Sequence, residues 1–520
     1  MANRNLHISL VTAIGLSLTT LAYCKSKTEW ESRVIYQVLT DRFSSTDGPA
    51  NCTNLEHYCG GTFRGLINKL DYIQDLGANA IWISPVVENT ENGYHGYWAK
   101  DIYNINPHFG SSDDLMALVD ACHKRDIWVM VDVVANHMGY PPGCPSCPMT
   151  QRLNFTGFVP FNMAAYYHNY CEIKDWSNQT QVELCRLAEL PDLNQTDNLV
   201  RQLQVVWVLN LTRFYHFDGI RIDTVPEVHK DFWKEFSQAA AVFSIGEVDN
   251  GDISYNARYQ GPMDSVLNYP MYFTLRHVYQ EKQSPWLINQ ALRNEAAIFK
   301  DTKVLGGFLD NHDNPRFLCI NDDWTSLKNG LTYSLMAKWI PIIYYGTEQG
   351  FRGCNDPNNR EALWPHYDKQ HDMYQFISTV LRYRSSVVQD LMASAQTERW
   401  VDDKIYAFTR GTGEKILVVT TNQGSGSTVE VTIPNLPYPD HTVLQNVLDE
   451  SEKVESNFGR VTLTIQNGQP KIYHVLSGQF TWNLDAGYST GVDYKVAVIV
   501  GISVVAVLAL VVYGASHLHT

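Results

Sequence analysis

Eight short apolar runs between Val34 and Tyr345 constrain this chain more than any other feature. They are Val34–Leu39, Ala80–Ile83, Ile127–Val134, Phe217–Ile222, Ala241–Ile245, the weaker Ser265–Asn268, Val304–Leu309 and Ile340–Tyr345. Apolar runs this short read as buried strands, and amphipathic patterns such as Leu115–His123 and Asp231–Ala240 read as the helices between them. Strands alternating with helices form a parallel sheet covered by helices. Eight units suit closure into a (β/α)8 barrel. Periodicity alone also allows a doubly wound open sheet.

Polar residues gather at the ends of these runs. Asp132 is followed by Asn136 and His137, Arg221 by Asp223, Ile245 by Glu247, and Leu309 by Asn311, His312 and Asp313. In a barrel the C-terminal strand ends converge on one rim, where active sites are built. Any one of these groups alone reads as structural; four runs delivering carboxylates and histidines to one rim do not read as packing. In Phe217–Val225 the alternation of a strand puts Arg221 and Asp223 on one face. A guanidinium beside an aspartate lowers its pKa and favours the carboxylate a nucleophile needs. Asp223, Glu247 and Asp313 together offer the paired carboxylates of glycoside hydrolysis, one ionised and one protonated.

The flanks and connections complete the organisation. Arg4 followed by an apolar run from Ile8 to Ala22 reads as a signal peptide over residues 1–22, with cleavage between Ala22 and Cys24. The barrel is expected over 27–137 and 197–393. The segment 138–196 between them is too long for an ordinary connection and is expected to be an inserted domain. From 394 to 480 short strands replace helical pattern, predicting an antiparallel β-sandwich. Residues 485–520 hold small residues, a polar spacer and the uncharged Val496–Tyr513, the pattern of a GPI-attachment signal; a single membrane-spanning helix is the alternative. Ten cysteines in an exported chain suggest disulfides. The candidate pairs are Cys52/Cys59, Cys144/Cys147, Cys171/Cys185 and Cys319/Cys354, with Cys122 a buried free thiol. Glycosylation sequons start at Asn51, Asn154, Asn178, Asn194 and Asn210. The net charge of −15 argues against a nucleic-acid partner, and a monomer is expected.

The residues themselves resemble a known family. Asp132-Val-Val-Ala-Asn-His137, Gly219-Ile-Arg-Ile-Asp223, Gly246-Glu-Val248 and Phe308-Leu-Asp-Asn-His-Asp313 are similar to the four ordered signature blocks of the α-amylase family, glycoside hydrolase family 13. Tyr94-His-Gly-Tyr-Trp98, Leu190-Pro-Asp-Leu193 and Asn355-Asp-Pro-Asn-Asn-Arg360 match as well, and the likeness to secreted fungal α-amylases runs from Trp30 to about residue 478.

The resemblance implies a retaining enzyme on α-1,4-glucans such as starch or maltooligosaccharides. Asp223 would be the nucleophile, Glu247 the acid/base and Asp313 the stabiliser of the distorted sugar. Arg221 would orient Asp223, and His137 and His312 would bind sugar hydroxyls. Tyr97 would stack on the sugar, with His95 and Trp98 beside it, and Asp356 and Arg360 would hold the donor chain. Asn136, Glu183, Asp192 and the Glu227 carbonyl match the family's Ca2+ ligands, all oxygen donors. Pro226 and Glu227 stand where Lys-His is usual, on the leaving side. Asp310 replaces a usual glutamate, and a disulfide between the fifth and seventh strands is missing. These departures resemble the GPI-anchored fungal branch, in which 4-α-glucanotransferase activity occurs. Hydrolysis is the first expectation and glucanotransfer the alternative. A non-catalytic amylase-like binding protein is disfavoured, because all three acids are present.

Overall fold

A computed structural model describes residues 25–47, 52–141 and 154–476. The signal segment, Cys24, Asn51, the pair Cys144/Cys147 and the C-terminal tail lie outside the described residues. Among the described residues no helix is long and apolar enough to cross a membrane.

All eight apolar runs contribute parallel strands. In chain order the strands of this half are β1 (Ile35–Val38), β2 (Ala80–Ile83), β3 (Val87–Asn89), β4 (Ala99–Ile105), β5 (Trp128–Val133), β6 (Gly219–Ile222), β7 (Phe243–Gly246), β8 (Ser265–Val266), β9 (Gly306–Gly307) and β10 (Ile340–Tyr344). The barrel order is β8-β7-β6-β5-β2-β1-β10-β9. A parallel bridge between Leu267 and Gly306 joins its two ends and closes the ring. The open-sheet alternative is thereby excluded. The Val304–Leu309 run is largely irregular, with only Gly306 and Gly307 in the ladder. A side chain has no room there: a Cβ on Gly307 would stand 2.2 Å from the Trp339 ring.

Alternation along the strands sorts side chains into two layers. Ile35, Ala80, Trp128, Met130, Phe243, Ile245, Ile340 and Ile342 point inward, around Trp30 and Phe308, and fill the barrel. Tyr36, Ile81, Val129, Val131, Ile220 and Ile222 join the outer core beneath the helices. The helices used below are α1 (Ser112–His123), α2 (Gln179–Leu184), α3 (Asn198–Tyr215), α4 (Lys230–Ala240) and α5 (Trp324–Met336). Cys122 is buried on α1 as a free thiol. Moving toward the C-terminal rim, the same inward rows turn polar: Gln37 follows Ile35, Asp132 follows Met130, Arg221 follows Gly219, and Glu247 follows Ile245. An apolar plug thus carries a polar layer at one end.

The connections bring unexpected pairing. The hairpin β3–β4, which the apolar pattern does not announce, reaches the segment after β5: Ile102 donates to the Val159 carbonyl at 3.1 Å, and Gly139 to that of Ala99 at 2.7 Å. That segment carries α2 and the Cys171–Cys185 disulfide. Cys52–Cys59 and Cys319–Cys354 are also bonded.

The C-terminal strands are β11 (Thr397–Val401), β12 (Ile405–Arg410), β13 (Ile416–Thr421), β14 (Thr428–Ile433), β15 (Val443–Asn446), β16 (Lys453–Glu455), β17 (Val461–Gln466) and β18 (Lys471–Val475). The apolar stretch Trp400–Arg410 is two strands, because Asp402 accepts from the backbone of Lys404 and Ile405 and turns the chain. Six strands form one antiparallel sheet, and β14–β17 is a second layer. Ile405, Leu417 and Tyr473 pack with Val431, Ile433 and Leu463 of that layer. The other face, with Tyr406 and Phe408, meets Tyr333 on α5 and so joins the barrel's outer core.

Candidate active site

The polar layer is organised by one guanidinium. Register places Asp132 on β5 directly beside Arg221 on β6. Arg221 Nη1 lies 2.9 and 3.1 Å from the two Asp132 oxygens and 2.6 Å from Asp223 Oδ1, while Nη2 lies 2.9 Å from Glu247 Oε1. Arg221 is buried, so these are low-dielectric contacts. Asp132 also accepts from Trp82 Nε1 at 3.0 Å and from the Tyr97 hydroxyl at 2.8 Å. His312 closes the network, with Nε2 2.7 Å from the Tyr97 hydroxyl and Nδ1 2.8 Å from the Gln37 amide.

Glu247 is fixed from a second side. Thr224, at φ 48°, takes up the left-handed conformation that β-branched residues rarely adopt. The turn lets its backbone N–H donate to Glu247 Oε2 at 3.0 Å. Asp313, in the segment that follows β9, lines one cleft with Asp223 and Glu247. Its carboxylate is 3.4 Å from Arg360 Nη2, and Arg360 also holds Asp356 at 3.1 Å.

The charges do not settle as the Arg–Asp motif alone predicts. Burial pushes Asp223 up to about 7, and Arg221 only partly offsets it, since Asp132 and Asp313 add to the rise. Burial likewise pushes Glu247 up to about 8, against Arg221, and Asp132 to about 6. Arg221 does lower the Asp223 pKa as expected, but the expectation that this leaves Asp223 with a depressed pKa is corrected: burial outweighs a cation shared by three carboxylates. Asp313 alone is lowered. Burial works against this, and the neighbouring cations prevail. Burial drives His312 down to about 3 and keeps it neutral, so Arg360 rather than His312 is the near cation responsible.

These groups floor a cleft of about 680 Å3. His95, Tyr97, Trp98, His137, Asp223, Pro226, Glu227, Glu247, His312, Asp313, Asp356 and Arg360 all line it. Arg221 lies beneath. Sequence reasoning missed Trp176, Asp249 and Tyr255, which also line the cleft. It also gave no role to Gln37, Trp82 and Asp132 underneath. Gln37 left a signal, as a polar residue inside the apolar run Val34–Leu39; Trp176 left none.

Beside the cleft, the Asn136 amide stands 2.9 Å from Asp192 Oδ1 and 3.2 Å from the Glu227 carbonyl. With its oxygen turned that way, three oxygens converge with no proton between them; turned round, its NH2 donates to both. Glu183 is not drawn into this group by hydrogen bonding. It accepts instead from Gln179, whose amide also donates to the Pro226 carbonyl at 2.9 Å. Among the described residues no cluster of three or more His, Cys, Asp or Glu side chains is poised to hold a metal.

The sequence matches the family model "Alpha amylase, catalytic domain" over residues 37–422. The chain belongs to the α-amylase family. It is 38% identical over 488 residues to "Alpha-amylase" of Saccharomycopsis fibuligera, covering 89% of this chain and 97% of that one. It is 39% identical over 465 residues to "Alpha-amylase 2" of Schwanniomyces occidentalis, covering 85% and 90%. The solved α-amylase of Malbranchea cinnamomea superimposes with a TM-score of 0.82 at 37% identity, covering 87% of this chain and 98% of that one. The chain is an α-amylase-type glycoside hydrolase.

Proposed function

We propose that the enzyme cleaves internal α-1,4-glucosidic bonds of starch-like glucans with retention of anomeric configuration. The observation that carries this reading is the single Arg221 guanidinium in contact with both Asp223 and Glu247. So short a bridge favours the close carboxylate pair of retaining enzymes over the wider gap that an inverting enzyme needs for water. Asp223 attacks the anomeric carbon and forms the glycosyl-enzyme. Glu247 protonates the leaving oxygen and then takes a proton from water. Its carboxyl is pushed above Asp223, the order in which the acid keeps its proton while the nucleophile ionises. Asp313 stays anionic and stabilises positive charge on the ring. His137 and His312 hold hydroxyls, Tyr97 stacks on the sugar with His95 and Trp98 beside it, and Asp356 with Arg360 grips the donor chain. Maltoheptaose digestion tests the reading: shorter products only, released first as the α-anomer, support it, and β-anomeric products overturn it. Products longer than the substrate would point to glucanotransfer.

We further propose a calcium ion held by Asn136, Asp192 and the Glu227 carbonyl. The support is the oxygen convergence on Asn136, which suits a hard cation. Such an ion would clamp the segment after β5 to the rim by neutralising repulsion between these oxygens. Glu183, which accepts from Gln179 through Oε1, keeps its second carboxylate oxygen as a further ligand for that ion. We also propose export through the secretory pathway and attachment by a C-terminal GPI anchor. The N- and C-terminal apolar patterns and three disulfides support export.

A further inference from the structure

A second groove, of about 560 Å3, shares no residue with the active-site cleft. It runs between β4 and α3 and is lined by Ile102, Tyr103, Ile105, Trp207, Asn210 and Phe214 among others. Trp207, Asn210 and Phe214 fall at helical spacings of three and seven, so they share one face of α3. Two aromatic rings lie open there: Tyr103 is 52% and Phe214 57% exposed. Trp207 is only 5% exposed, and its indole nitrogen is buried without a hydrogen-bond partner. Two exposed rings on the walls of one groove describe a surface suited to a ligand with an apolar face.

The same groove contains its own attachment point. Asn210 is exposed on α3 and opens the sequon Asn210-Leu211-Thr212. The other described sequons differ. Asn154 and Asn194 accept from the hydroxyl and N–H of Thr156 and Thr196, Asn178 caps α2, and none of them lines either groove.

We propose that Asn210 carries an N-linked glycan whose inner N-acetylglucosamine residues lie along this groove and cover Tyr103 and Phe214. The C–H face of a pyranose suits an aromatic ring. The covalent link holds the sugar at the groove at a high effective concentration, so weak contacts suffice. In the modifying step the bond from Asn210 Nδ2 to C1 forms. The C1–O bond to a lipid diphosphate carrier breaks, the amide loses one proton, and the lipid diphosphate leaves. The inference needs export of the chain but not the catalytic reading.

The test uses full-length protein secreted from a yeast host. Peptide mass spectrometry is expected to find a glycan on the Asn210 peptide, and an unmodified peptide overturns the proposal. Thermal melts then compare Asn210→Gln with wild type in two backgrounds, native and Tyr103→Ser/Phe214→Ser. The loss of the glycan is expected to lower Tm by about 1–3 °C in the native background and by much less in the groove variant. Equal losses in both backgrounds overturn the seating of the glycan on the rings. In unglycosylated protein Asn210→Gln is expected to leave Tm unchanged, and a loss there overturns the proposal by assigning the effect to the asparagine itself. Maltoheptaose filling the groove of the glycosylated protein would also overturn it, by making soluble glucan the occupant. Activity on starch, measured in parallel, reports on the catalytic reading separately.

Discussion

Arg221 Nη1 touches both oxygens of Asp132 and one of Asp223, so the residue beside the nucleophile shares its cation with a buried carboxylate on the neighbouring strand. Asp132 therefore holds Asp223 and Glu247 at higher pKa than they would have with Arg221 to themselves.

Asp132→Asn removes one anion and keeps the shape. Arg221 then serves two carboxylates instead of three, which lowers both. The acid limb of kcat/KM moves to lower pH, and the alkaline limb moves the same way, each by about one pH unit. The limbs belong to the coupled group rather than to single residues, so both should move together. A pH–rate profile with unchanged limbs would contradict the sharing of Arg221.

Glu247→Gln removes the proton donor and should cut kcat about 10²–10⁴-fold. It also tests the raised pKa through stability. A glutamate near 4.3 when unfolded and near 8 when folded keeps its proton in the native state between those values. The native state then binds more protons than the unfolded one, so wild-type stability falls as pH rises across this window. Glutamine has no such dependence. The variant should therefore gain Tm over wild type at pH 8 and gain little at pH 4.5. A Tm difference independent of pH would mean Glu247 ionises normally.

The barrel was legible because Ile35, Met130 and Ile245 alternate with outward residues in runs that only a buried strand tolerates. The convergence of three acids on one cleft was legible because Asp223, Glu247 and Asp313 each follow such a run. Other parts depend on contacts between distant segments. Asp132 meets Arg221 through inter-strand register, which no local pattern encodes. Val304–Leu309 looks like a strand, yet only Gly306 and Gly307 pair in the ladder. Asp223 reads as a low-pKa acid beside an arginine, and burial, with the other carboxylates around that arginine, reverses the direction.

Calcium removal should destabilise the protein. If the ion holds Asn136, Asp192 and the Glu227 carbonyl, it binds the folded state alone, and excess calcium raises Tm with the logarithm of its concentration. Chelation should lower Tm by several degrees, and calcium should restore it. Asp192→Asn should weaken calcium binding in a calorimetric titration. An enzyme whose Tm is the same in chelator and in calcium would exclude the site.

A GPI anchor makes a prediction about the tail. In a membrane fraction from the expressing cell, phosphatidylinositol-specific phospholipase should release the enzyme in soluble form. A variant ending at Leu476, the last described residue, should be secreted without the treatment. Retention of the full-length enzyme after cleavage of control anchors would favour a spanning helix.

Glu227 is the acceptor-side feature that most separates this cleft from the Lys-His pattern expected by resemblance. It is 8% exposed and lines the cleft, and burial, with Glu247 nearby, pushes it up to about 8. A carboxyl so placed is costly to ionise and offers no fixed cationic donor to the leaving sugar. Glu227→His replaces it with a side chain that can donate a hydrogen bond while leaving the backbone carbonyl of that residue in place. One added hydrogen bond contributes about 0.5–1.5 kcal/mol, so KM for maltoheptaose should fall about two- to tenfold. Shorter substrates that leave the acceptor side empty should be unaffected. An equal change for long and short substrates would place Glu227 outside the acceptor path. A rise in products longer than maltoheptaose would show that acceptor binding, rather than the chemistry of Asp223, limits transfer in the wild-type enzyme.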